Sequence, residues 1–331
     1  MNTFRLRHVD FLIIDYCERL CKFVTISSII QMRDKSISVS IGVMAHNEAK
    51  NITQFLDSLL AQKDFHKLVS EVIIVSSGST DGTNTVISRY QKQSKKIHLI
   101  KQAKRNGKAT AVNCFIATAK NEILVLVNAD LILEQHALKT LLIPFKRKDV
   151  GIVGSHPVPV NNEQTFMGFA AHLQWEIHHQ ISLSQPKMGE MIAFRKIFKQ
   201  IPSSSSVDEA NIEPLIRGQG YKAAYAPKAI VYNKGPEKIS EFLARRRHIY
   251  YGHIVTKHLY SYEVSTLRFF LALSALMKSI KPTPRYLLYT PLVILLEATG
   301  RILGFIDYKL KIKTHTVWDV THSTKNLSTT R

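Results

Sequence analysis

The chain has 331 residues, of which 45% are hydrophobic and 21% charged, a balance that supports a packed core and excludes a disordered chain. Its length suits one large domain, or one domain with a substantial appendage. The 45 Lys and Arg exceed the 25 Asp and Glu to give a formal net charge of +20, so the expected neighbours are polyanions: nucleic acid, an anionic membrane surface or phosphorylated substrates.

At the N-terminus, Asp10, Asp15 and Glu18 interrupt the apolar positions, and no small-residue cleavage site follows, so a signal peptide is not expected. Val9, Leu12, Ile13, Tyr16, Leu20, Phe23 and Val24 recur at three- and four-residue spacing. That predicts an amphipathic helix over 9–30, too polar on its other face to span a bilayer. Arg33-Asp34-Lys35 reads as a linker, which makes 1–35 a first segment. Cys17, Cys21 and Cys114 are a sparse, odd set without a CxxC pair, pointing to a reducing compartment.

From residue 37 the pattern changes. "ISVSIGVM" (37–44), "EVIIVSS" (71–77), "IHLIK" (97–101), "EILVLV" (122–127) and "VGIVGS" (150–155) are short β-rich runs. Helical stretches fall between them at 49–62, 82–93, 107–119 and 134–147. This alternation predicts right-handed βαβ units, an α/β fold with a Rossmann-like, mostly parallel sheet flanked by helices. Ligands in such sheets bind outside the carboxyl ends of the strands, and these strands end in "AHNE", "SSGSTDGT" and "NAD". After 156 the alternation loosens. A helix is predicted over 166–184, with strands at "MIAF" (191–194) and "AAYAP" (223–227). "SSSS" (203–206) is a loop leading into "VDEANIEPLIRGQGY".

The tail differs again. "LRFFLALSALMKSI" (267–280) is too short to cross a bilayer, while "YLLYTPLVILLEATGRILGFI" (286–306) is long enough but contains Pro291, Glu297 and Arg301. One charge at the bilayer centre costs at least about 2.5 kcal/mol. A helical hairpin lying in the membrane interface is therefore expected, with a true span or a helical subdomain packed on the core as the other readings. Lys278, Lys281, Arg285, Lys309, Lys311 and Lys313 flank it and suit an anionic cytoplasmic leaflet.

Five ordered motifs resemble those of the family 2 glycosyltransferases, inverting GT-A-fold enzymes that use nucleotide sugars. The resemblance covers about 37–252. "VMAHNEAKNI" (43–52) is similar to the family's first strand end, where the nucleoside is met. Asn47 is placed to cap the following helix and Glu48 to face the strand ends. "VSSGSTDGT" (75–83) stands where many relatives carry Asp-Asp. Here Ser76 and Ser77 replace that pair, and Asp81 matches the motif's later Asp, with a binding or a capping role. "KRNGKATAVN" (104–113) resembles the segment that opens a helix, and Arg105 and Lys108 near that N-terminus suit a diphosphate. "NAD" (128–130) takes the place of Asp-x-Asp. The resemblance makes Asp130 the ligand of a divalent cation, Mg2+ or Mn2+, with Asn128 beside it, and hard oxygen ligands suit either ion. "VDEANIEPLIRGQGYKAAYAP" (207–227) resembles the acidic segment that supplies the catalytic base. By register this is Glu209, with Asp208 the alternative. Helix capping by Asp208 is an equally good account of that residue. Arg217 projects from the same helix.

Two weaker likenesses concern the acceptor or phosphate side. "GEMIAFRK" (189–196) brings in Gly189. "EFLARRRHIYYG" (241–252) lies where polymerising relatives have Gln-x-x-Arg-Trp, but Ile249 stands at the Trp position. Non-processive transfer is therefore expected, with Arg246 and Arg247 facing diphosphate or membrane phosphates. His172, Trp175 and His179 share one face of the 166–184 helix and could border an acceptor pocket.

Together these readings give a first segment (1–35), a GT-A glycosyltransferase domain (36–255) and a C-terminal membrane-associated region (256–331). The expected partners are a nucleotide-diphosphate sugar, a hydroxyl or lipid-linked acceptor and the cytoplasmic side of the cell membrane. The alternative is a catalytically weak nucleotide-sugar-binding protein on the same scaffold. Nucleic acid is not an expected partner, because no RNA-binding signature appears, and no GxGxxG follows the first strand to suggest a dehydrogenase.

Overall fold

The computed structural model of the chain describes residues 37–203 and 205–327; the helix expected over 9–30 lies outside them. From Ser38 onward the described residues form one compact unit built on an eight-stranded sheet of order β3-β2-β1-β4-β7-β6-β8-β5. Strands β1 (Val39–Ala45), β2 (Val69–Ser77), β3 (Ile97–Gln102) and β4 (Ile123–Asn128) are the parallel half. Every residue of β1 is buried, as a strand covered on both faces requires. Between these strands run α1 (Ile52–Leu60), the single turn α2 (Phe65–Leu68), α3 (Thr83–Gln93) and α4 (Lys108–Thr118). Helix α4 lies so close to β1 that a Cβ at Gly42 would stand 2.4 Å from the Phe115 ring.

The chain adds β2 and β3 on one side of β1 and then crosses to place β4 on the other, with Met44 opposite Asn128. Strand order reverses there, so a crevice opens where "AHNE" and "NAD" leave the sheet.

The second half is mixed. β7 (Met191–Arg195) runs antiparallel between β4 and β6 (Val150–Pro159). β6 pairs in parallel with the long β8 (Lys222–Asn233), and β5 (Ile132–Leu133) closes the edge against β8. The parallel pattern expected to run on through 150–155 is thus interrupted by "MIAF". The helix expected over 134–147 is only α5 (Ala137–Leu142), because Pro144 cannot supply a donor and the chain tightens into a 3-10 turn at Ile143–Lys146. Helix α6 spans Phe166–Ser184, as expected, and Gly168 N donates to the Thr165 hydroxyl at its start (3.0 Å).

Helices α7 (Asp208–Arg217), α8 (Ile239–Tyr260), α9 (Phe269–Ser279) and α10 (Pro284–Leu310) complete the unit. Among the described residues, α10 is the one helix long and apolar enough to cross a membrane. The charges that argue against a span are turned toward α8: Arg246 and Arg301 both hold Glu297 (2.6 and 2.8 Å). Small residues allow this approach, since a Cβ at Gly300 would lie 2.5 Å from the Arg246 Cβ. Phe269, Phe270, Leu287 and Leu295 on α9 and α10 are exposed by 63–82%. Such a surface exceeds the scattered apolar exposure of an ordinary soluble face. Beyond α10 the chain returns to the sheet, and Leu327 is fully buried.

Candidate active site

A single cleft of about 610 Å³ lies over the carboxyl ends of β1 and β4 and reaches as far as α9 and α10. At one end the loops after β1 and β2 are stitched together. Asn47 adopts a left-handed conformation (φ 52°), accepts from Thr80 N (2.9 Å) and donates its own N–H to Ser79 Oγ (3.2 Å). It therefore does not cap α1. Asn51 occupies that position, with its side chain turned elsewhere. Asp81 accepts from Ala49 N (3.0 Å), Thr83 N (3.1 Å) and Thr83 Oγ1 (2.5 Å). With its oxygens so engaged, it does not line the cleft. His46 donates to the Ser77 carbonyl (2.6 Å), and Ser77 Oγ donates to Gln102 Oε1 (2.5 Å).

Glu48, Asn128 and Asp130 converge where the strand order reverses. Glu48 is 7% exposed; burial and the charge of Asp130 push its carboxyl up to about 7, against the pull of Lys325. Burial and the charge of Glu190 raise Asp130 as well. No side chain among the described residues donates to Asp130, while Glu190 accepts from Asn128 (3.0 Å), Asn233 (3.2 Å) and Arg245 (2.9 Å). Among these residues no group of three or more His, Cys, Asp or Glu side chains could hold a metal.

Arg105, Gly107 and Lys108 form the wall beside the α4 N-terminus. Lys108 Nζ sits 2.6 Å from Asp208 Oδ2. Burial opposes its charge, but Asp208 and Glu209 more than compensate and raise its pKa. Asp208 is 1% exposed and committed to this lysine, which leaves Glu209 as the acid facing open cleft. Burial, reinforced by Asp208, lifts the Glu209 carboxyl to about 7 although Lys108 pulls the other way.

Other expected residues divide clearly. Gly189 and Arg246 line the cleft. Arg217 does not, because its guanidinium is held by Glu213 (2.8 Å). Arg247 does not either; it clamps Asp307, which also pairs with His315 (2.6 Å). Of the three residues on the α6 face only Trp175 borders the cleft. His172 donates to the Asn161 carbonyl (2.9 Å), and His179 bonds to the Tyr225 hydroxyl (2.7 Å) and stacks on His156.

Several cleft residues escaped the motif reading: Lys187, Glu190, Arg245, Trp318 and Lys325. Glu190 follows directly on Gly189, and Arg245 stands at the Gln position of the 241–252 segment. Lys325 had no local signal. It reaches Glu48 and, at 3.2 Å, the His46 carbonyl from the far end of the chain.

The model of the family "Glycosyl transferase family 2" matches residues 40–203. Poly-beta-1,6-N-acetyl-D-glucosamine synthase of Staphylococcus aureus is 25% identical over 250 residues, covering 71% of this chain and 60% of that protein. The glycosyltransferase GlyG of Streptococcus pneumoniae is 27% identical over 115 residues, 35% of this chain and 37% of its own. The chain thus spans between about a third and three fifths of these curated relatives. A solved mannosyltransferase from Pyrobaculum calidifontis, in complex with GDP-Man and Mn2+, has a TM-score of 0.60 and 20% identity, covering 88% of this chain and 95% of that one. The likeness extends to the GT-A fold, with its mixed, curled sheet. On this evidence the chain belongs to glycosyl transferase family 2.

Proposed function

We propose that the protein is an inverting glycosyltransferase that moves a sugar from a nucleotide-diphosphate donor to a hydroxyl or lipid-phosphate acceptor at the cytoplasmic face of the cell membrane, one residue at a time. The observation that carries this reading is that Asp130 and Glu209 line one cleft, with the diphosphate-type wall of Arg105 and Lys108 alongside. A carboxylate with no side-chain donor among the described residues, set between Glu48 and Glu190, suits a divalent cation such as Mn2+ or Mg2+. Held by Asp130 and the donor's own phosphates, the ion would offset charge on the departing diphosphate. Glu48, Ser77 and Asn128 border the nucleoside side, Glu209 takes the acceptor's proton, and Gly189 and Arg246 face the acceptor. Ile249 in place of an aromatic platform favours single transfers. The exposed apolar flank of α9 and α10 favours membrane contact, with a transferase domain over 36–255 and a membrane-associated region over 256–331.

The test is nucleotide-sugar turnover by the detergent-purified chain across a donor panel, with and without Mn2+. Asp130→Ala and Glu209→Ala should each lower the rate by at least about a hundredfold. Tight binding of a nucleoside diphosphate without any turnover would favour a binding protein on the same scaffold.

A further inference from the structure

The cleft continues past Glu209, and its walls turn apolar there: Trp175 of α6, Ile249 of α8, Leu273 and Leu276 of α9 and Ile294 of α10. At the transition stands a cationic cluster. Arg246 and Arg301 share the single carboxylate of Glu297. Lys187, which also lines the cleft, has no hydrogen-bond or ion-pair partner among the described residues. Three cations thus surround one carboxylate. Burial, with the charge of Arg246 and Arg301, draws the Lys187 pKa down to about 8, although Glu209 and Glu297 oppose the shift. An unpaired ammonium in such a place is costly until an anion arrives. On the outer side the apolar wall runs into exposed side chains, with Phe269 70%, Leu273 42% and Ile294 47% accessible.

Resting on the donor reading above, we infer that Lys187, with Arg246 and Arg301, is the headgroup site for an acceptor that is a lipid phosphate monoester, its hydrocarbon chain lying along α9 and α10. An alcohol acceptor would leave the excess positive charge unanswered, and a phosphate without a chain would leave the apolar wall empty. In the transfer, a phosphate oxygen of the acceptor forms a bond to the anomeric carbon of the donor sugar. The bond from that carbon to the diphosphate oxygen breaks, and its electron pair leaves with the nucleoside diphosphate. The dianionic monoester becomes a monoanionic diester and the diphosphate takes up the charge. A monoester arriving singly protonated loses its proton near pH 6, and Glu209, titrating about 7 because of its burial, can receive it.

The experiment uses the full chain in detergent and reads binding separately from turnover. Farnesyl phosphate, farnesol and inorganic phosphate are the three probes. Farnesyl phosphate should bind at least about tenfold more tightly than either of the others, the scale of a charge-assisted contact. Lys187→Gln should weaken that binding about tenfold and raise the acceptor KM in proportion, with the donor KM changed less than about twofold, and Lys187→Arg should restore it. Equal binding of farnesol, equal binding of inorganic phosphate, or a folded Lys187→Gln protein with unchanged affinity would overturn the inference. A protein that binds farnesyl phosphate as described but leaves every nucleotide sugar intact would support the subsite and overturn the transferase reading. Preferential glycosylation of farnesol would do the reverse.

Discussion

Lys108 Nζ lies 2.6 Å from Asp208 Oδ2, and the pair joins the first turn of α4 to the first turn of α7. Both ends of this bridge line the cleft, and Asp208 directly precedes Glu209, the proposed base. The Asp208 side chain is fully buried and that of Lys108 is 26% exposed. Removing one partner strands the other, which typically costs about 3–5 kcal/mol in a buried pair. Asp208→Ala should therefore destabilise the protein by about 3 kcal/mol, the lower end because water reaches the lysine. Combining it with Lys108→Met should cost less than the two separate losses added together. Urea unfolding of the four proteins measures the difference, and strict additivity would mean that the bridge carries no energy.

The pH dependence follows from Glu209. Its carboxyl lies above the ordinary value of 4.5, at about 7, chiefly through burial. As a base it works only when ionised, so the rate should climb as pH rises through about 7, and Glu209→Gln should flatten that limb as well as lower it. Stability runs the other way. A folded pKa above the unfolded one favours the folded state fully below the unfolded value and loses that advantage as pH rises through the folded value. Glu209→Gln should thus gain in Tm relative to the unsubstituted protein on going from about pH 5 to about pH 8. A parallel pair of Tm curves would show that the acid is not raised.

Glu190 was not singled out by the motifs, yet it organises the centre of the site. It accepts from Asn128, Asn233 and Arg245, and its charge helps raise Asp130. Glu190→Gln should disturb the orientation of these partners while easing Asp130 toward ionisation. The expected outcome is tighter Mn2+ binding with a lower kcat, since Asn128 and Arg245 lose a charged acceptor worth about 1.5–3 kcal/mol. Calorimetric titration of Mn2+ and initial rates on the same preparation test the split. Weaker metal binding would show that Glu190 acts instead as a ligand.

The parallel half of the sheet and its strand-end motifs were legible because β-branched runs such as "EVIIVSS" alternate with helical stretches of matching length. The antiparallel insertion of β7 was not, because "MIAF" has the same apolar signature in either direction and only pairing partners set its orientation. The sequence suggests a cap for Asn47 and a nucleotide contact or a cap for Asp81. Both are used to bind the loops after β1 and β2 to each other, a tertiary job that no local spacing reveals. Arg247 resembled a phosphate contact within "ARRRH" until Asp307, on a distant helix, claimed it. Glu297 and Arg301 weigh against a bilayer span in the sequence, where their ion-pair partner Arg246 is not visible.

The least legible feature is the strap formed by 313–327, and it supplies the last prediction. Trp318 stacks on His248 (3.8 Å between ring centres) and donates to the Ser206 carbonyl (2.9 Å). His322 N and Ser323 N donate to Glu241 (3.1 and 3.3 Å). Asn51, fully buried, holds the strap at two points: its Nδ2 donates to the Thr324 carbonyl (3.2 Å) and its Oδ1 accepts from Leu327 N (3.1 Å). Lys325 is thereby set against Glu48 beside the end of β1. The strap also passes Gly107, where a Cβ would stand 2.6 Å from the Thr316 carbonyl. Asn51→Leu cannot replace either bond, and each unsatisfied buried group costs about 1–3 kcal/mol. That loss falls on the short 313–327 segment, which packs on the fold without joining the sheet, so local opening should outpace global unfolding. Amide exchange over 313–327 should quicken by about tenfold or more while β1 and β4 keep their protection. On the proposed donor site, a nucleoside diphosphate shares this mouth with the strap and should both associate and dissociate faster in stopped-flow measurements. If strap exchange rises but nucleotide kinetics stay the same, the segment braces the fold without gating the donor.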